Sequence, residues 1–96
     1  MASRPWQTNA SAHVDEFIRR KALSRIDADA IYSAVRRLEV DPFDVPAIKD
    51  HVGEWHYRIG PSATEPDSIL AVTYRIDRDF RHVEIISFEL YPGRGL

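Results

Sequence analysis

Between residues 40 and 55 the hydrophobic period of this chain changes, and that change constrains the fold more than any other feature. Before it, apolar residues recur at helical spacing. Val14, Phe17 and Ile18 are continued by Ala22 or Leu23, and Ile31, Val35 and Leu38 follow with Ala34 alongside. After it they alternate, with Trp55, Tyr57 and Ile59 separated by His56 and Arg58. Asp41-Pro42 and Val45-Pro46 mark the boundary, because proline lacks an N–H and restricts its predecessor. A helix is predicted over 11–23, with Ser11 as its cap and Asp15 and Glu16 in a first turn that favours negative charge. Asp27 caps a second helix that runs to about Glu39. The short linker between them makes the pair an antiparallel hairpin.

The second half reads as a meander. One strand covers 55–59 and is closed by Gly60-Pro61. A second, over 69–76, is apolar on both faces and therefore central. The third covers 83–90 and is closed by Pro92-Gly93. The polar stretch 62–68 reads as an exposed loop, Asp77-Arg78-Asp79 as a turn, and residues 1–10 as loose or as a short edge strand near 6–8. The expected architecture is one α+β domain over all 96 residues: a two-helix antiparallel hairpin (11–40) packed on a small, mainly antiparallel sheet of three to four strands, the meander occupying 54–91.

Composition removes several classes of function. With no cysteine, disulfides, thiol nucleophiles and cysteine–zinc sites are excluded. His13, His51, His56 and His82 lack metal-ligand spacing, so no metal is expected. Four glycines form no phosphate loop, and no small-molecule cofactor is expected. Thirteen basic residues against fifteen acidic ones give a net charge of −2, the wrong sign for a domain that holds nucleic acid through its overall field. No apolar run approaches a membrane span, and Met1-Ala2-Ser3-Arg4-Pro5-Trp6 lacks the apolar stretch of a signal peptide, so the expected location is the cytoplasm.

Certain strings, in their order, resemble the RelE/ParE toxin superfamily of bacterial toxin–antitoxin systems. Val35-Arg36-Arg37-Leu38-Glu39-Val40-Asp41-Pro42 is similar to that family's helix ending at an acid–proline step. Ala47-Ile48-Lys49 and Trp55-His56-Tyr57-Arg58-Ile59 resemble its linker and first meander strand, and Val72-Thr73-Tyr74-Arg75-Ile76-Asp77 with Val83-Glu84-Ile85-Ile86 its last two. The likeness spans about residues 11–90. It implies one of two activities, ribosome-dependent mRNA cleavage or the binding and poisoning of DNA gyrase, and a cognate antitoxin that wraps the toxin. A homo-oligomer stays open.

The chain departs from the ribonuclease members at three places. The 60–68 loop is long, Leu70 or Ala71 stands where an arginine is usual, and the last strand ends Phe88-Glu89-Leu90-Tyr91-Pro92 instead of on basic residues. Only Arg58, with Tyr91 and Arg94, matches the family's functional positions in type. Cleavage to a cyclic phosphate needs a base, a phosphate clamp and an acid. His56 and Arg58 on one strand face, with Tyr91, form the candidate catalytic set; Lys49, Arg75, Arg94, Arg19 and Arg20 are candidate RNA- or partner-binding residues. Equally, His56 and Arg58 read as solvent-facing neighbours of Trp55 and Tyr57, and Asp15–Arg19 and Glu16–Arg20 as ion pairs on a solvated helix. Arg37 has Asp41 available in the same way. Trp6 and Trp55 read as core or interface anchors. The departures and the acidic balance favour a binding module over a ribonuclease; a non-toxic interaction module of the same fold, adapted to another partner, is the further alternative.

Overall fold

A computed structural model describes residues 4–93. The elements are β1 (Gln7–Thr8), α1 (Ala10–Lys21), α2 (Arg25–Val40), β2 (Ala47–Lys49), β3 (Trp55–Pro61), β4 (Ser68–Asp77) and β5 (His82–Pro92). The fold is α+β, two helices on one sheet. The sheet has five strands in the order β1-β5-β4-β3-β2 and is mixed, since β1 runs parallel to β5 while every other pairing is antiparallel. Three to four strands was therefore too few. The short edge strand expected near residues 6–8 is present as β1, and the unforeseen strand is β2, whose three residues read in sequence as linker.

The core lies between the helices and one sheet face. Val14 and Phe17 of α1 and Ile31, Ala34 and Leu38 of α2 meet Tyr57, Leu70, Val72, Tyr74, Val83, Ile85 and Phe88 from the sheet. Phe17 stacks on Phe88 with ring centroids 5.9 Å apart. Trp6 is buried as an anchor; its N–H donates to the Glu39 carbonyl at 2.7 Å, joining the start of the chain to the end of α2. Beside it Phe43 lies edge-on to both Trp6 and Trp55.

The helix ends differ from local expectation. Asn9, not Ser11, precedes α1, and it makes no side-chain cap bond there. Its amide instead pairs with the Ile85 backbone, whose N–H donates to Oδ1 at 2.7 Å. Starting at Ala10, the helix carries Asp15 and Glu16 beyond its first turn. It stops at Ala22, which adopts a left-handed conformation (φ 49°) while the N–H groups of Ala22 and Leu23 donate to the Arg19 and Ile18 carbonyls. Ser24, not Asp27, caps α2, accepting from the Asp27 N–H at 3.3 Å. Asp27 is buried one turn later and has another use.

That use is the 60–68 loop. Asp27 accepts hydrogen bonds from the Ser62 hydroxyl (2.7 Å), the Ala63 N–H (2.7 Å) and the Thr64 N–H (2.9 Å). The Ser24 N–H donates to Thr64 Oγ1 at 2.7 Å. The loop, read in sequence as merely exposed, is latched to the start of α2, and Ser62 is buried. Burial raises the Asp27 pKa, but the hydrogen bonds from Ser62, Thr64 and Ala63 outweigh it, so the carboxyl titrates below its ordinary range.

The strand before this loop does not end at Gly60. A bulge between Arg58 and Gly60, where Gly60 takes φ 155°, carries β3 on to Pro61, opposite Ile69. Proline is tolerated because β3 has by then run past its last pairing with β2, at Ala47–Tyr57, and that side has no ladder left to break.

Candidate functional site

Strand alternation sends Tyr57 into the core and puts His56 and Arg58 on the sheet face opposite the helices. On that face they line a groove of about 420 Å³ together with Pro46, Ile48, Ala71, Glu89 and Tyr91. The structure thus brings His56, Arg58 and Tyr91 together across three strands. Ile48, on the outermost strand, is 75% exposed and forms the rim.

His56 is held on both sides. Its Nε2 lies 2.7 Å from Asp50 Oδ2, and its Nδ1 lies 3.1 Å from Thr73 Oγ1, the residue opposite it on β4. Thr73 in turn donates to Glu89 Oε1 at 3.5 Å, which also accepts from the Ser87 hydroxyl at 3.1 Å. Asp50 sits in the β2–β3 turn and shapes it, its Oδ1 accepting from the Val52 and Glu54 N–H groups at 3.0 and 2.9 Å. The His56 hydrogen bond first, and then the backbone donors of Glu54 and Val52, lower the Asp50 carboxyl to about 2. Neither ring nitrogen is left without a protein partner. Arg58 is exposed, and among the described residues no carboxylate pairs with it.

The other sequence candidates lie elsewhere. Lys49 places its Nζ 5.8 Å from the Trp55 ring centroid. Arg75 donates to Glu54 Oε2 at 2.9 Å and lines a separate cleft by the β4–β5 turn. Arg19 and Arg20 are exposed on α1, Arg20 4.0 Å from Glu16. The expected Asp15–Arg19 pair is not made; Asp15 accepts from the Tyr32 hydroxyl at 3.2 Å. Nor does Arg37 turn to Asp41: it donates to the Tyr57 hydroxyl at 3.0 Å and to the Asp44 carbonyl. Arg94 lies outside the described residues. Sequence reading missed Asp50, Glu54, Thr73 and Glu89. The spacing Asp50-x-x-x-Glu54-x-His56 was the available signal, because a tight turn folds its two ends together.

A scan of protein-family models, a search of curated proteins and a search of solved structures each returned no match. Among the described residues, no helix is long and apolar enough to cross a membrane.

Proposed function

We propose that this protein is the toxin-like component of a bacterial toxin–antitoxin system, acting by binding a protein target and neutralised by a cognate antitoxin. The RelE/ParE resemblance of its strings supplies the class. The observation that carries the route is the double engagement of His56. A ribonuclease needs a base free to meet the 2′-hydroxyl, and here Asp50 and Thr73 occupy both ring nitrogens. Glu89 adds a carboxylate to the groove lining, which disfavours a phosphate there. A groove with an exposed isoleucine at its rim, beside an edge strand with unpaired backbone groups, is instead suited to a protein segment.

The convergence of His56, Arg58 and Tyr91 in one groove favours a second reading, an mRNA endoribonuclease with an altered acid/base set. One experiment separates the two. The wild type and a His56→Ala/Arg58→Ala variant are induced in bacteria without an antitoxin, and growth and total RNA are followed. Binding to a protein target predicts arrest with intact RNA. Arrest with new RNA fragments, both lost in the variant, establishes the ribonuclease. Unimpaired growth removes the toxin reading and leaves the fold.

A further inference from the structure

The turn between β2 and β3 gathers Asp50, Glu54 and His56 so that one ligand atom from each lies within 4.8 Å of the others. We propose that these three side chains form a binding site for a divalent transition-metal ion of the zinc class, with solvent completing the coordination. Two carboxylates and one imidazole are a competent donor set for such an ion. No ligand atom of the three is more than 4.8 Å from another, so modest side-chain movement brings the set to coordination distance. Ligands about 2.0–2.1 Å from a tetrahedral ion stand roughly 3.3 Å apart. Asp50 Oδ2 and His56 Nε2 are 2.7 Å apart, so the ion replaces the proton they share after a small opening of that pair.

What distinguishes this cluster from ordinary surface acids is its supporting shell. Metal-binding residues are usually oriented by partners on their remaining polar atoms. All three have one here. Two backbone N–H groups hold Asp50 Oδ1 and leave Oδ2 for the ion. Buried Thr73 meets His56 Nδ1, which puts the Nε2 lone pair on the metal side when Nδ1 carries the proton. Arg75 Nη2 holds Glu54 Oε2. Two carboxylates against one guanidinium leave the site negative, so a dication is attracted. His56 is exposed while Asp50 and Glu54 are half-buried, which gives an ion both access and room for water ligands.

The test is titration of the untagged full chain with zinc chloride by calorimetry, with Co²⁺ absorption as a second readout. One Zn²⁺ per chain is expected, with Mg²⁺ far weaker. Thr73→Val should weaken binding by about 10- to 100-fold, and Glu54→Gln and His56→Gln should weaken it more. Asp50→Asn retains the turn-forming oxygen and keeps a ligand deletion testable in a folded chain; it too should lose affinity. His51→Ala and His82→Ala should bind as the wild type does, and circular dichroism establishes that each variant is folded. Failure of the wild type to take up Zn²⁺ saturably overturns the proposal. So does uptake that survives His56→Gln or that disappears with His51→Ala. The result is independent of growth arrest, so failure here and failure of the toxin reading are distinguishable.

Discussion

Asp27 accepts a 2.7 Å hydrogen bond from the Ser62 hydroxyl, joining α2 to a loop 35 residues away in sequence. This carboxylate, 1% exposed, holds two loop N–H groups besides, so it organises the loop and one end of the helical layer together. Asp27→Ala leaves those donors unpaired in a buried place. The expected loss is about 3 kcal/mol, and Asp27→Asn, which keeps an acceptor, should lose less. Urea unfolding of the two variants against the wild type measures both.

The same group sets a pH dependence. Its folded pKa lies below the ordinary carboxylate value because hydrogen bonds from Ser62, Thr64 and Ala63 overcome the opposing effect of burial. A carboxyl lowered on folding contributes stability that is complete above its unfolded pKa, about 3.9, and is lost as pH falls through the folded value. Stability should therefore fall below about pH 4, and the fall should be shallower in Asp27→Asn. Urea midpoints measured from neutral to acid pH in both proteins test this.

Ala22 pays a steric penalty at the end of α1, where its φ of 49° suits glycine. Ala22 is exposed, so nothing is lost from the core on replacing it. Ala22→Gly should stabilise the protein by about 0.5–1 kcal/mol, the relief of left-handed strain exceeding the added flexibility of the unfolded chain. A raised thermal midpoint is the readout.

Two buried tyrosines should respond oppositely to loss of the hydroxyl. Tyr57 accepts from Arg37 Nη1 at 3.0 Å, and Tyr57→Phe should cost about 1 kcal/mol. The Tyr74 hydroxyl is buried without a protein partner among the described residues, and burial, with Tyr57 adding, raises its pKa above the ordinary phenol range. Tyr74→Phe should be neutral or stabilise by up to about 1 kcal/mol, because it removes an unsatisfied polar group. Denaturant midpoints of the two variants decide the sign.

Ile48 separates binding from folding. At 75% exposure on an edge strand, Ile48→Glu should change stability by less than about 0.5 kcal/mol. If the groove docks a protein partner, the same change should relieve growth arrest, since it places a charge at the apolar rim. Arrest that persists in a stably folded Ile48→Glu variant counts against that surface.

The parts of this fold that could be read locally were those with a repeating period. Val14 and Phe17, then Ile31 and Leu38, marked both helices, and the alternation around Tyr57 put His56 and Arg58 on one face. β2 was not legible because three residues hold too little pattern, and only its pairing with β3 makes it a strand. Asp27 misled because capping rules look three residues ahead, whereas its partners lie beyond two intervening strands. Thr73 and Glu89 were out of reach for a related reason. Their nearness to His56 follows from the β3–β4–β5 register, which side chains on the opposite face enforce by filling the core.

The pairing of β1 with β5 has a consequence for how the chain is made. Gln7 sits beside His82, and Asn9 is bonded to Ile85 across 76 residues of sequence. Synthesis proceeds from the first of these residues toward the last, so both helices and three further strands are made between β1 and the strand that receives it. Trp6, an anchor of the finished core, meets Glu39 and Phe43 on one side, and Arg81, just before β5, covers its ring at 4.7 Å. Pairing of β1 with β5 is thus a long-range closure that local structure cannot bring about, and it should be among the slower steps of folding.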